Sequence, residues 1–488
     1  MADAPLPASV NPAASRAPDP VAGAEPASAA EQSRRRTLAM LVVLLGLGVV
    51  VVDSTLLNLA LPSIARQMNA TAAHSIWAVN AYQLATLVCL LPFANLGDRL
   101  GYRQVYLGGT VVFVAGAVLA AFSQNLAMLV FARALQGVGG GAMMSVNTAL
   151  IRLIYPPDRI GRGIALNSMV VAMSSVAGPT IAALVLGVAS WRWLFFISIP
   201  LAVTVLVLGR RVLPLNPHRR PAEAMHKRDV VFNVLMFVLL FVGADLLAMR
   251  GTSGEADWRT LGLAMMAAAV VVGVFYMRRQ ARLSTPLFPV DLMRMPIFAL
   301  SMGASVSAFA AMSLATVSMP FLLQDGFGKT PFQAGILLTA WPAAIVVMAP
   351  LAGRLIGRVH SGLLGGIGMT LMALGMLALA LLPAHPGDWD IAWRLALAGA
   401  GFGLFQSPNN HTIVTSPPPH RAGAASGMLG TARLTGMTLG AVVVAQIFAT
   451  WPPAQGVGPH IALWVGLCAS IVAGLCSVAR VRTAVQTA

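Results

Sequence analysis

Four ionisable side chains lie inside long apolar stretches of this sequence, where a charge is energetically expensive. They are Asp53, Arg133, Asp245 and Arg433. A charged side chain near the centre of a bilayer costs about 2.5–3.5 kcal/mol on insertion scales, so each of the four is a functional candidate. A carboxyl group at position 53 could take up and release a proton as a cavity opens to either side of a membrane. It could also pair with a cationic substrate.

Each of these charges has a purely structural explanation as well. Asp53 and Arg133 could form an ion pair that only joins two helices, and Arg133 could instead be a snorkelling or packing residue. Asp245 lies near the end of its apolar stretch, which favours an acid at the membrane interface. Arg433 shares a helix face with Gly436, so it either lines a cavity or bonds backbone carbonyls.

Polar amides on the same stretches are candidates for binding a substrate. Gln136 shares a helix face with Arg133 by the three-and-four spacing, and Gln406 shares one with Asn409 and Asn410. Such a stripe could line a cavity, although hydrogen bonds between helices explain it nearly as well. The residues predicted to line a substrate cavity are Asn58, Gln136, Gln406, Asn409, Asn410 and Arg433.

Composition identifies the surroundings of these residues as a lipid bilayer. Hydrophobic residues make up 57% of the 488 residues and charged residues only 10%, against about 25% charged in a soluble domain. Fourteen apolar stretches of about 20 residues are long enough to cross a bilayer as helices. The formal net charge of +16 could indicate nucleic acid, but the basic residues lie in short loops between apolar stretches. No nucleic-acid partner is therefore predicted.

The basic residues concentrate in every second loop, and this bias sets the predicted orientation. The favoured set of loops includes Arg34, Arg210, Arg278, Arg480 and Arg482, whereas the alternate set holds few. By the positive-inside rule, both chain ends then face the cytoplasm. A preference for arginine over lysine, with richness in alanine and proline, favours a GC-rich bacterial genome. The expected location is the bacterial cytoplasmic (inner) membrane.

The lengths of the loops predict how the chain is organised. The predicted parts are a disordered cytoplasmic tail (1–36), an N-terminal six-helix bundle (37–209), basic linkers with an inserted helix pair (210–295), a C-terminal six-helix bundle (296–482) and a cytoplasmic tail (483–488).

A weak internal repeat relates the two bundles. A glycine pattern in the fourth apolar stretch recurs in the twelfth at constant spacing, so that Gly137, Gly139 and Gly141 correspond to Gly399, Gly401 and Gly403. Two related six-helix halves are typical of secondary transporters, with the binding cavity between them.

No site for ATP, a metal or a catalytic group is predicted. Gly328-Lys329-Thr330 ends like a phosphate-binding loop, but Leu323 stands where that motif requires its first glycine. Energy for uphill transport would then come from an ion gradient, and no cofactor is expected. The sequence shows no nucleophile–base pair, so it does not predict an enzyme.

Several of these residues fall in motifs of a known family. The stretch from Asp53 to Ile64, the loop Gly97-Asp98-Arg99-Leu100-Gly101-Tyr102-Arg103 and the pair Gly178-Pro179 are the clearest. On these motifs the chain resembles the major facilitator superfamily, and within it the fourteen-span drug:proton antiporters of the EmrB/QacA type. The resemblance implies an all-α membrane protein with the major facilitator fold, in which two six-helix bundles flank an inserted helix pair.

The resemblance also implies roles for individual residues. Asp53 and Arg133 correspond to residues linked to proton coupling. Gly178 and Pro179 correspond to an antiporter motif, in which Ser174 replaces the usual leading glycine. The gating loop, which locks the halves in the outward-open state in the family, is matched here by Gly97, Asp98, Arg99, Gly101 and Arg103, with Tyr102 in place of a basic residue.

The resulting hypothesis is proton-coupled multidrug efflux of small lipophilic or cationic compounds by alternating access. A narrow-specificity exporter of an endogenous metabolite has the same fold and stays open, as does a passive facilitator or channel. The expected partners are the bilayer, protons and a small-molecule substrate. Some relatives also work with a periplasmic adaptor protein, so the resemblance allows for one.

Overall fold

The computed structural model describes residues 29–156, 159–216, 227–247, 255–283, 286–418 and 421–485. Most of the predicted N-terminal tail (1–28), the end of the C-terminal tail (486–488) and parts of the basic linkers lie outside these ranges. The structure corrects the predicted tails where they overlap. Residues 29–36 are already helical, and the last helix runs on to Val485.

The first six long helices form the N-terminal bundle. Asn125 caps the start of α4, because its side chain accepts the backbone N–H of Met128 at 2.8 Å. Gly101 separates α2 from α3 with a φ of 110°, a value that a residue with a Cβ rarely adopts. The six helices are α1 (Ala29–Gln67), α2 (Trp77–Leu100), α3 (Tyr102–Ala121), α4 (Leu126–Ile154), α5 (Ile160–Val188) and α6 (Trp193–Val212).

The last six long helices form the C-terminal bundle. α9 continues into a π-helical turn, Leu322–Gly326, and α10 consists of two segments that meet at Thr339. A capping box of Thr330 and Gln333 fixes the start of α10. The six helices are α9 (Pro296–Phe321), α10 (Pro331–Leu338 and Ala340–Leu355), α11 (Ser361–Ala380), α12 (Asp388–Thr415), α13 (Ala422–Thr450) and α14 (Val457–Val485).

The inserted pair, α7 (Lys227–Leu246) and α8 (Glu255–Gln280), lies at the seam between the bundles. α7 contacts α2 and α13. The Asn233 side chain donates to the carbonyl of Val88 at 3.1 Å. Asp245 was predicted to be an interfacial acid, but it is 4% exposed and accepts a hydrogen bond from the Trp77 indole. The contact with α2 therefore removes this acid from water.

The two bundles repeat the same helix pairings. In the N-terminal bundle α4 packs against α2 and α3, α1 against α5 and α6, and α3 against α6. In the C-terminal bundle the corresponding helices make the same five pairs. This repetition explains the glycine pattern in the sequence, since both sets of glycines occupy the same helix contacts.

Two pairs of glycines illustrate the repeat. A Cβ at Gly137 would meet the backbone carbonyl of Tyr82 on α2, and a Cβ at Gly399 would meet that of Trp341 on α10. Gly139 faces the backbone of α3 in the same way as Gly401 faces that of α11. Only glycine allows backbones to approach so closely.

Contacts at the helix ends define two faces of the molecule. Gly209 near the end of α6 packs on Val42 near the start of α1, and Arg480 near the end of α14 bonds Ser301 near the start of α9. The second half of α2, at Leu90 and Leu91, meets the first half of α13, at Gly427 and Gly430. We call this side the terminal face. The opposite side, with the α1–α2 and α9–α10 turns, is the far face.

Thirteen helices in the described part of the chain are long and apolar enough to cross a membrane. The remaining predicted stretch is α12, with 28 residues, or roughly 42 Å at 1.5 Å per residue. Its apolar part is short, because charged residues occupy its first turns and mostly polar residues from Gln406 to His411 occupy its second half. It nevertheless packs along α10 and α11 inside the C-terminal bundle.

Candidate functional site

Asp53 and Arg133 form a buried ion pair inside the N-terminal bundle. Arg133 Nη1 lies 2.6 Å from Asp53 Oδ2, and the two side chains are 1% and 2% exposed. The other carboxylate oxygen accepts a hydrogen bond from Gln136 Nε2 at 2.9 Å and from the Ser198 hydroxyl at 3.4 Å. The carboxylate therefore joins α1 to α4 and α6.

The guanidinium of Arg133 is held on its remaining sides. Its Nε donates to the carbonyl of Ala78 at 3.1 Å, and Nη1 also donates to Gln136 Oε1 at 2.7 Å. The Tyr82 ring covers one face, with its centroid 4.2 Å from Cζ, which is a cation–π distance. Breaking such a pair by removing one partner typically costs about 3–5 kcal/mol, because the other charge stays buried.

A cavity of about 490 Å³ lies between the two bundles. α1 and α5 line it from the N-terminal bundle, and α9, α10, α12 and α13 from the C-terminal bundle. Its wall includes Ser54, Thr55, Asn58, Asn167, Ser175, Phe309, Met312, Met319, Trp341, Phe402, Gln406, Ser407, Asn410, Arg433 and Met437.

The structure separates the residues predicted to line this cavity into two groups. Asn58, Gln406, Asn410 and Arg433 lie in its wall. Gln136 instead belongs to the network around Asp53.

Asn409 also lies away from the cavity, although it is adjacent to Asn410 in the sequence. It is buried and donates to Ser305 Oγ at 2.7 Å. A rotation of 100° per residue turns neighbours on a helix towards different helices. One face of α12 therefore divides between the cavity and the bundle interior.

Arg433 is the only charged residue among the described residues that line the cavity. Its Cζ atom lies 5.7 Å from the centroid of the Phe309 ring. Asp53 is absent from the described wall, because its carboxylate faces Arg133 instead. The cavity wall thus presents a cation, aromatic rings and neutral polar groups.

The ion pair and the cavity are connected through α1. Ser54 and Thr55, which follow Asp53 directly, lie in the cavity wall. Gly178 of the predicted antiporter motif packs against Thr55, and a Cβ there would collide with the threonine side chain. Pro179 follows inside α5. A movement of α1 at Asp53 would therefore displace both the cavity wall and the contact with α5.

Contacts between the bundles close the far face. Arg66 pairs with Asp325 at 2.6 Å. The Gln324 side chain donates to the carbonyl of Leu59 at 3.0 Å. The hydroxyls of Thr180 and Thr339 lie 3.0 Å apart, at the point where α10 changes segment.

The predicted gating loop lies on the terminal face and bonds within its own half. Tyr102, which stands where the family has a basic residue, donates its hydroxyl to Asp98. Its backbone N–H donates to Asn216 Oδ1 at 3.1 Å, and Arg103 donates to the carbonyl of Arg210. Gly97 packs against Val146 and the Tyr102 ring. Arg99 lies half-buried beside them at the end of α2.

Sequence reasoning placed Arg480 in a cytoplasmic loop, and this was wrong. It is 2% exposed and donates to Ser301 Oγ at 3.0 Å and to Asn409 Oδ1 at 2.8 Å. Because it lies at the polar end of an apolar stretch, nothing in the sequence indicated that its side chain is buried.

The cavity residue Trp341 was also missed. Only the packing shows that its carbonyl faces Gly399 as the carbonyl of Tyr82 faces Gly137.

Comparisons with known proteins agree with this architecture. Residues 43–441 match the family described as the Major Facilitator Superfamily. An uncharacterised transporter of Escherichia coli, YebQ, is 49% identical over 91% of this chain and 95% of its own length. The tetracenomycin C resistance and export protein of Streptomyces glaucescens is 31% identical over 84% of this chain and 76% of its own.

A solved structure extends the likeness to the fold. A POT family transporter in complex with 5-aminolevulinic acid superposes with a TM-score of 0.67 at 16% identity, covering 90% of this chain and 95% of the other. The chain is therefore a multi-pass membrane transporter and not an enzyme. It belongs to the Major Facilitator Superfamily.

Proposed function

We propose that this chain is a proton-coupled efflux transporter that exports small lipophilic compounds by alternating access. The observation that carries the proposal is a buried acid–base pair, Asp53–Arg133, one residue away from the wall of a cavity between two six-helix bundles. Relatives described as a tetracenomycin C export protein and a multidrug efflux pump, LfrA of Mycolicibacterium smegmatis at 29% identity, support export of drug-like molecules.

We further propose that α12 crosses the membrane, so that the chain has the fourteen spans of the EmrB/QacA type. Its packing inside the C-terminal bundle supports this, since a helix at that position cannot avoid the bilayer. The basic loops support a terminal face that lies on the cytoplasmic side of a bacterial inner membrane. Since contacts between the bundles close the far face, we propose that the structure corresponds to the inward-facing state.

In the proposed cycle, Asp53 is the proton site and Arg133 is its counter-charge. A proton that reaches Asp53 from outside neutralises the carboxylate and removes its ion pair with Arg133. α1 is then freer to shift against α5 at the Thr55–Gly178 contact, and the substrate leaves the cavity. After the inward transition, the proton is released to the cytoplasm and the ion pair forms again.

The sequence hypothesis of cationic substrates depended on an Asp53 carboxylate that faces the cavity. In the structure this carboxylate is neutralised by Arg133. The proposal therefore requires a lipophilic body and no positive charge.

The test is transport by the purified protein in liposomes with an imposed pH gradient. Three tritiated probes share one ring system: 2-naphthalenesulfonamide, 2-naphthalenesulfonate and trimethyl-2-naphthylammonium. We expect gradient-driven accumulation of at least one probe, lost with an uncoupler and in Asp53→Asn. Asp390→Asn is the matched control, since its carboxylate lies at the far face with Arg394. Normal gradient-driven transport by Asp53→Asn would refute the assignment of Asp53.

The same assay separates the alternatives. A passive facilitator would move a probe equally with and without the gradient. A narrow-specificity exporter would move none of the three, and a panel of metabolites would then identify its substrate. Since the liposomes contain no adaptor protein, gradient-driven transport would also show that the chain works without one.

A further inference from the structure

The charge of the cavity wall deepens the proposed function, on which this inference rests. We infer that the transporter selects organic anions, namely molecules with an apolar aromatic body and one carboxylate or sulfonate group that Arg433 binds. Arg433 is the sole charged side chain in the described wall. Asp53, the neighbouring acid on α1, is already held by Arg133 and Gln136. A cationic ligand would therefore meet a positive charge and no compensating carboxylate there.

Arg433 is presented to the cavity by rigid packing. One turn and two turns further along α13, Gly436 and Gly440 lie directly against the backbone of α9, at Val306 and Ala310. This close approach fixes α13 beside Phe309, whose ring lies 5.7 Å from the guanidinium. The helix that carries the arginine therefore does not need to be ordered when a ligand binds.

Within the described residues, no ion pair involves Arg433. A guanidinium in a water-poor site loses hydration, and a cation–π contact restores only part of it. A ligand carboxylate or sulfonate would restore the rest through charge-assisted hydrogen bonds, which are roughly twice as strong as neutral ones. The anion is thus the ligand that gains most from this wall.

The rest of the wall suits the body of such a molecule. Phe309 and Phe402 supply ring faces, and methionines supply an adaptable apolar surface. Trp341 is 4% exposed, and its indole N–H has no hydrogen-bond partner in the described part of the protein. Because that nitrogen is buried, it could donate to an anionic group only after a neighbouring side chain moves aside. The volume of about 490 Å³ falls in the range of drug-sized ligand sites.

The charge of the ligand also changes the electrical work of transport. Exchange of one proton inward for one monoanion outward moves two elementary charges per cycle. A neutral ligand moves one charge, and a monovalent cation moves none. An inside-negative potential should therefore accelerate export of the sulfonate most and leave the trimethylammonium unaffected.

The experiment measures equilibrium binding of the three naphthalene probes to purified full-length protein. We expect the sulfonate to bind at least tenfold more tightly than the sulfonamide, and the trimethylammonium to bind most weakly. Arg433→Gln should weaken sulfonate binding at least tenfold and change sulfonamide binding less than twofold. Arg433→Lys should keep most of the preference, because it keeps the charge. Unchanged sulfonamide binding shows that the cavity of the Gln variant is still folded.

Three results would overturn the inference: tighter binding of the trimethylammonium than of the sulfonate, a sulfonate preference that survives Arg433→Gln, or no binding of the sulfonate by the wild type. These outcomes are independent of the proposed function. Gradient-driven transport of the sulfonamide without anion preference would leave proton-coupled efflux standing. Anion preference without gradient dependence would leave this inference standing and refute the coupling.

Discussion

Both bundles bury an arginine, but they satisfy it in different ways. In the N-terminal bundle Arg133 faces a carboxylate, Asp53, at 2.6 Å. In the C-terminal bundle Arg480 donates to a hydroxyl, on Ser301, and to an amide oxygen, on Asn409. The two networks also lie at opposite depths, since Asp53 is nearer the far face and Arg480 nearer the terminal face.

The difference indicates how two related halves can divide a transport cycle. A carboxylate can lose its charge by taking a proton, whereas a hydroxyl and an amide are neutral at any physiological pH. Among the contacts given above for the two arginines, only those of Arg133 include a carboxylate. The repeat supplies the same helix contacts to both halves, and the residue types placed in those contacts differ between the halves.

The largest loss of stability is expected where a buried charge loses its partner. Arg133→Gln leaves the Asp53 carboxylate buried without its partner and should cost about 3–5 kcal/mol of stability. Thermal unfolding in detergent measures this. The double variant Asp53→Asn/Arg133→Gln should recover most of the loss while staying inactive in the liposome assay. A double variant as unstable as the single one would show that Arg133 acts mainly through packing.

A second pair of variants tests whether the glycine contacts contribute equally to stability in the two halves. A Cβ at Gly139 or Gly401 would meet the backbone of the facing helix, so Gly139→Val and Gly401→Val should each destabilise the protein by about 1–3 kcal/mol through overpacking. Gly108→Val is the control, since its Cβ would meet nothing within 4 Å. Unequal melting temperatures for the first two variants would show that the two halves do not pack equivalently at these contacts.

A third effect separates two neighbouring asparagines on α12. Asn409→Ala removes an acceptor of Arg480 and should cost about 1–3 kcal/mol, because a buried donor is left unsatisfied. Asn410→Ala, in the cavity wall, should leave the melting temperature unchanged and alter probe binding instead. The reverse pattern would contradict the assignment of one residue to structure and the other to the cavity.

The smallest effect on stability is expected at the far face. The Arg66–Asp325 pair is partly exposed, at 55% and 24%, so Asp325→Asn should change stability by less than about 1 kcal/mol. It should nevertheless favour opening of the far face, since the pair joins the two bundles. Distances between spin labels at the exposed positions Thr71 and Ala384, in a variant without the three native cysteines, would show the shift. An unchanged distance distribution would exclude the pair as a gate.

Much of the architecture could be predicted from the sequence. Hydropathy and length predicted the membrane helices, and the glycine pattern predicted related halves with a cavity between them. The charges at positions 53 and 133 stood out because a bilayer penalises them wherever their partners lie. These inferences succeed because they depend on the composition of single segments and on the solvent around them.

Other features were decided only when the helices packed. The sequence offered Gln406, Asn409 and Asn410 as one stripe, and the packing of α12 turned Asn409 away from the cavity. Hydropathy suggested a loop position for Arg480, and α9 and α12 enclosed it. A segment's sequence fixes whether it crosses the membrane, but the neighbours on each side fix which of its faces meets the cavity. The charge of that cavity depends on Arg433, which the sequence had offered as a lining residue, and on the pairing that withdraws Asp53, which only the tertiary structure shows.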